Sequence, residues 1–154
     1  MKRLSTYLTI SLLFTLLLVA ACKDSKKEES TNDTTETVET GQTQMKKVMD
    51  IHDEVMPKMR LLGQMTQKLQ SEADSTTTRG QEALSIIGDL KDAYDSMNSW
   101  MVGFGDRFTP DEILDGAELS AEKQQWLNEE EEKVKVVRDK INGSLQKAEA
   151  FLGS

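Results

Sequence analysis

The chain has one cysteine, one histidine and two prolines among 154 residues. A single cysteine cannot form an internal disulfide or supply a Cys-based zinc site. A single histidine, His52, leaves no spare imidazole for Ser-His-Asp or Cys-His catalysis. No glycine-rich phosphate loop, Gly-x-Ser-x-Gly or His-Glu-x-x-His occurs, so the common signatures of phosphoryl, acyl and zinc hydrolytic chemistry are missing; neither an enzyme nor a cofactor is expected. Basic charge is also scarce, with 19 Lys and Arg against 27 Asp and Glu, a formal −8. Residues 1–21 contribute Lys2 and Arg3 and no acid, so without them the balance is 17 − 27 = −10. Phosphate recognition needs clustered Lys and Arg, and nucleic acid is therefore not an expected partner. Aromatic residues make up 5%, and no segment alternates with the period of two that marks a strand. What is present, 37% hydrophobic and 30% charged residues, describes a helix-leaning chain of single-domain length.

The long hydrophobic run sits at the start. Met1-Lys2-Arg3 is followed by Leu8 to Ala21, apolar apart from Thr9, Ser11 and Thr15. This has the layout of a signal-peptide core and is shorter than the roughly 20 residues a spanning helix needs. It ends Val19-Ala20-Ala21-Cys22, small residues before the only cysteine, and so resembles the lipobox of bacterial lipoproteins. That resemblance implies cleavage after Ala21 and acylation of Cys22, with residues 1–21 removed. Each buried methylene contributes about 0.8 kcal/mol, and two or more acyl chains hold a protein stably on a membrane. The lipid membrane is thus an expected partner through Cys22. The expected location is the cell envelope, anchored to a bacterial membrane, the outer membrane being favoured and its side left open.

Residues 22–43 read as a disordered tether: between Lys23 and Thr43 the sole aliphatic side chain is Val38, too little apolar surface to offset the entropy of ordering. Lys23-Asp24-Ser25-Lys26-Lys27-Glu28-Glu29 is similar to the export tags of surface lipoproteins of Bacteroidota, although a plain solvated linker has the same composition. Asp33-Thr34-Thr35 and Asp74-Ser75-Thr76 resemble the short O-glycosylation signal of the same bacteria.

From residue 44 the apolar residues recur with a helical period. Met45, Val48, His52, Val55, Met59, Leu62, Leu69 and Ala73 form the stripe of a helix over about 44–73, flanked by Met49, Met56 and Met65. Thr78 and Gln81 suggest a capping box for a second helix over about 79–104, whose stripe is Ala83, Ile87, Leu90, Tyr94, Met97, Met101 and Phe104 and whose end is marked by Gly103 and Gly105. Thr109-Pro110-Asp111-Glu112 reads as a capping box with proline at the first position, opening a short turn over about 110–115 that Gly116 closes. Ser120 caps a third long helix over about 120–152, with stripe Trp126 or Leu127, Val134, Val137, Ile141, Leu145, Ala148 and Leu152. The expected fold is all-α, an antiparallel up-down-up three-helix bundle with coiled-coil-like packing over residues 44–154. A four-helix bundle or a homo-oligomer would satisfy the same stripes.

Candidate functional residues are few. Met49, His52 and Met56 project from neighbouring turns of one face, and thioether with imidazole suits Cu(I); Met49-Asp50-Ile51-His52 resembles the Met-x-x-His unit of periplasmic silver- and copper-binding proteins. Core packing of methionine, with His52 bonded to a neighbouring carboxylate, explains the same row. Pro57 inside the first helix should free the carbonyl of Asp53 and kink the helix. Trp100, Phe104 and Phe108 concentrate aromatic surface at one end of the second helix, as a plug or as a surface for an envelope protein partner. Glu129 to Glu132, with Lys133 and Lys135 in helical reach, reads as a solvated face, although Glu130 falls on the stripe.

Met45 to Met59 and Tyr94 to Phe104, as continuous stretches, are similar to those of small helical lipoproteins of Bacteroidota, whose members often carry the name viral A-type inclusion protein. The resemblance implies a helical lipoprotein and no established activity. The sequence thus points to a lipid-anchored, non-enzymatic binding or envelope-structural module, the alternative being a Cu(I)-binding periplasmic protein.

Overall fold

In the computed structural model, residues 32–153 are described, with side chains from Gly41 onward. The expected signal peptide, Cys22 and the first part of the expected tether lie outside the described residues. The described chain is all-helical: α1 (Asn32–Leu69), α2 (Thr78–Arg107), α3 (Pro110–Leu114) and α4 (Ala121–Leu152) pack against one another, and no strand occurs among the described residues.

Hydroxyl side chains start three of these helices, because the first amides of a helix have no partner inside it. Thr77 Oγ1 accepts from the Gly80 amide at 3.0 Å, Thr109 caps α3, and Ser120 Oγ accepts from the Lys123 amide at 3.2 Å. The expected capping box at Thr109 is complete: Glu112 N donates to Thr109 Oγ1 and Thr109 N donates to Glu112 Oε2. Partial burial would raise the Glu112 carboxyl, but bonds from Lys123 and Thr109 outweigh it and hold the group below its ordinary value. Thr109→Ala breaks this exchange; we expect a loss of about 1 kcal/mol, read as a lower urea midpoint at unchanged slope. Gly116 follows with φ 69°, a left-handed conformation that lets the Ala117 amide join that of Asp115 on the Asp111 carbonyl.

Four boundaries differ from the sequence expectation. The cap of α2 is Thr77 rather than Thr78, and Gln81 Nε2 donates to Ser75 O at 2.9 Å instead of closing a box. That helix continues past Gly103 and Gly105 to Arg107, since Phe104 and Phe108 are buried on either side of its last turn and Arg107 pairs with α4. α1 stops at Leu69, before residue 73, where Ser71 Oγ takes the Lys68 carbonyl and Asp74 Oδ1 accepts the amide and hydroxyl of Thr76, side-chain bonds that compete with helix. At its other end α1 starts at Asn32, so residues 32–43 of the expected disordered tether are helical. Contacts far along the chain favour this: Gln42 Nε2 donates to Gly116 O at 2.6 Å and Gln124 Nε2 to Gln44 Oε1 at 2.6 Å. Buried Gly41 allows the approach, since a Cβ there would lie 2.8 Å from Gln124 Oε1.

The innermost side chains recur every seventh residue. They are Val48, Val55, Leu62 and Leu69 on α1, Ala83, Leu90, Met97 and Phe104 on α2, and Leu127, Val134, Ile141 and Ala148 on α4. A seven-residue repeat matches helices wound about each other in the coiled-coil manner, because it keeps one seam facing inward. A second row on α2 is Ile86, Ala93 and Trp100; on α4 it is Glu130, Val137, Ser144 and Phe151, two of them polar. Tyr94, placed on the stripe by its spacing, is 45% exposed. The row that carries Ala93 faces inward in its place, and Ile51 joins the core from α1.

Candidate functional site

Polar side chains among the described residues gather on the seams of α4. Toward α2, Arg107 Nη1 lies 2.6 Å from Glu129 and 3.1 Å from Glu130, Lys140 lies 2.7 Å from Asp92, and Lys147 lies 2.6 Å from Asp89. Toward α1, Gln44 Nε2 donates to Asn128 and Glu131 at 2.9 and 2.8 Å, Lys47 pairs with Glu131, and Lys58 donates to Asn142 at 2.8 Å.

The acidic run is therefore no plain solvated face. Glu130 and Glu131 are buried, because they point into the two seams, while Glu129 and Glu132 stay exposed. Burial of a carboxylate is costly unless it is paired and hydrogen-bonded. Glu130 takes Arg107 and Lys133. Glu131 takes Lys135, Lys47 and Gln44, and these bonds, led by that from Lys135, pull its carboxyl down to about 2 against the opposing effect of burial. Lys135 is raised in return, first by Glu131 and then by Glu132. Lys135 thus pairs as its spacing suggests, whereas Lys133 turns to Glu130.

His52 has 18% of its side chain exposed, its Nδ1 2.8 Å from Asp53 Oδ1 and its ring centroid 5.8 Å from that of Trp100. It is a half-buried histidine bonded to a neighbouring carboxylate and set beside an indole. Met49 and Met56 are half-buried and packed against the core, and Met59 and Met65 continue their row, as expected of flexible thioethers filling an uneven seam. α1 runs through Pro57. Pro57 and Asp53 are both exposed.

Trp100, Phe104 and Phe108, expected either as a plug or as a partner surface, are 6%, 4% and 3% exposed. Their spacing of four puts the rings on one face of α2. Trp100 stacks on Phe104 with centroids 4.9 Å apart, and Phe104 meets Phe108 at 4.9 Å. The three rings belong to the buried core. Arg107 extends this region by placing its guanidinium 5.5 Å from the ring centroid of Trp126.

One groove of about 540 Å³ opens between α2 and α4. Small residues of α2 make it, Ser96, Ser99 and Gly103, across from Val136 and Val137 of α4, with Trp100 in its wall. The indole Nε1 of Trp100 is buried without an acceptor, an arrangement that costs about 1–3 kcal/mol. Neither the groove nor the buried acids emerged from the sequence, because both depend on which residues of α4 meet α2. The signal that pointed to them was the placement of Glu130 on an otherwise apolar stripe.

Among the described residues no three His, Cys, Asp or Glu side chains cluster so as to hold a metal ion, and no helix is long and apolar enough to cross a membrane. Comparison with family models, with curated proteins and with solved structures finds no match to this chain.

Proposed function

We propose that this protein is a lipid-anchored lipoprotein of the bacterial cell envelope, without catalytic activity, whose acidic helical body acts as a binding or envelope-structural module. The observation that carries this reading is the end of the leading apolar run, where Val19-Ala20-Ala21 precedes the sole cysteine, Cys22. Cleavage before it would leave Cys22 as the first residue. The mature charge of −10 (17 − 27) is repelled by an anionic membrane surface, so lipid on Cys22 does the anchoring. The outer membrane is the proposed location.

The body is proposed to be an up-down-up three-helix bundle, with α3 as a short element in the second connection. Polar pairings support it. Residues 44 and 58 of α1 meet 128 and 142 of α4, numbers that rise together, while 89, 92 and 107 of α2 meet 147, 140 and 129 of α4 in reverse order.

Growth of cells on a labelled fatty acid, followed by mass analysis of the chain, tests the anchor. We expect label on Cys22 and a mature chain lacking residues 1–21, and no label on Cys22→Ser. A mature chain that begins elsewhere, or an unlabelled Cys22, overturns the reading.

A further inference from the structure

We propose that the methionines along the packing surface of α1 make this helix responsive to two-electron oxidants of the peroxide class. Oxidation to sulfoxide loosens α1 from the pair formed by α2 and α4, and reduction restores it. The chemistry depends on the helical body and not on lipid at Cys22, so either reading can fail without the other.

The methionines are unevenly placed. Met45, Met49, Met56, Met59 and Met65 lie on α1 and Met97 and Met101 on α2. The 32 residues of α4 contain none, and its buried apolar side chains are Leu, Val, Ile, Ala and Phe. Met45 and Met97 are 4% and 0% exposed, while the other five are half-buried and packed against the core. A thioether so placed is open to an oxidant in the folded state, and the core feels its conversion to a polar group.

The backbone places the effect on α1. Cα atoms of α2 and α4 approach within 8 Å of one another, whereas α1 stands further from both along nearly all of its length. Interhelical distance follows side-chain size. Short Ser144 and Ala148 sit in the buried rows of α4, and long thioethers flank the buried row of α1. That helix is held at a distance by its side chains, apolar at Val48, Val55, Leu62 and Leu69 and polar at Gln44, Lys47 and Lys58.

The step balances with hydrogen peroxide as the oxidant. A lone pair of the methionine Sδ attacks one peroxide oxygen and the O–O bond breaks. The other oxygen leaves as hydroxide and takes the proton of the new S–OH group to become water. Sulfur loses two electrons and the peroxide gains them. The product is a polar side chain where a flexible apolar one stood, and keeping it packed against the core costs free energy. It escapes that cost by turning to water, and α1 gives way with it.

Polar bonds between α1 and α4 limit the movement. Gln44 with Asn128 and Glu131, Lys47 with Glu131, and Lys58 with Asn142 contain no sulfur, and they keep the loosened helix beside its partner. The change is therefore one that methionine sulfoxide reductases, one for each sulfoxide epimer, reverse.

The test treats the full chain carrying Cys22→Ser, which removes thiol oxidation, with hydrogen peroxide. Peptide mass mapping follows sulfoxide at each methionine, and hydrogen exchange follows backbone opening. We expect the five half-buried methionines to oxidise before Met45 and Met97. The amides of α1 should then exchange about tenfold faster or more, with a smaller change in α4. Both reductases with dithiothreitol should return α1 to its original rate. Met49→Leu, Met56→Leu, Met59→Leu, Met65→Leu and Met101→Leu together conserve volume and should abolish the response, and the first two alone should reduce it. Unchanged exchange of α1 in the chain with five sulfoxides, or an equal acceleration in all three long helices, overturns the proposal. So does an undiminished response in the five-site variant, or oxidation of Met45 and Met97 at the rate of the others.

Discussion

Leu90→Ala is expected to lower the unfolding free energy by about 2–5 kcal/mol, whereas Tyr94→Ala, one turn further along the same helix, should change it by less than about 0.5 kcal/mol. Leu90 is fully buried, in the seven-residue row of α2 that runs from Ala83 to Phe104. Removing its isobutyl group loses the transfer energy of those carbons and leaves a cavity that residues fixed on α1 and α4 cannot close. Tyr94 is 45% exposed, and alanine is the better helix former there. Urea unfolding at neutral pH separates the two, with a shift in midpoint at unchanged slope for Leu90→Ala. Equal effects at both positions would mean that the seam of α2 passes through Tyr94, and the arrangement of α2 against α4 described above would be wrong.

That pair of residues also marks how far the sequence could be read. The seven-residue repeat was legible because it is a property of each helix alone, and the row of α2 that begins at Ala83 was placed correctly from spacing. In the neighbouring row Ile87 is buried and Met101 is half-buried against the core, as the spacing suggested, but Tyr94 is exposed. Ile86, Ala93 and Trp100 fit the period equally well and are buried too, so spacing alone could not separate the two rows.

Helix caps divide along the same line. Thr109 with Glu112, and Ser120 with Lys123, are separated by three residues and were legible as local chemistry. The start of α1 was not, for residues 32–43 contain almost no apolar surface, and their helix is tied to Gly116 and Gln124, more than 70 positions away. Glu130 and Glu131 could be seen as an acid run, but their burial depends on Lys47 and Gln44 of α1 and on Arg107 of α2. A tether and a solvated face are what such composition gives when no partner surface is supplied.

Glu131 makes the second large effect one of pH. Its carboxyl has a folded value of about 2 against an ordinary 4.5, so the folded state binds its proton less readily than the unfolded state does. The stability this contributes is fully present above about 4.5 and is lost as the pH falls from there toward about 2. At 1.36 kcal/mol per unit the shift sets an upper bound of roughly 3 kcal/mol. Lys47 is 59% exposed and Lys135 31%, so water screens both partners and about 1–2 kcal/mol is expected. Glu131→Gln removes the charge and keeps the shape, leaving Gln44 an amide oxygen to donate to. At neutral pH this variant should be less stable than the wild type by that amount, and the gap should close as the pH is lowered through the same window. Taking the difference between the two chains at each pH cancels the other depressed carboxylates, Glu112, Glu129 and Asp74, which titrate in both. A gap that stayed constant between neutral pH and pH 2 would show that Glu131 acts through packing or hydrogen bonding alone. A gap that widened on acidification would mean that the folded state takes up the Glu131 proton more readily than the unfolded state does, the reverse of a carboxyl held down by Lys135 and Lys47.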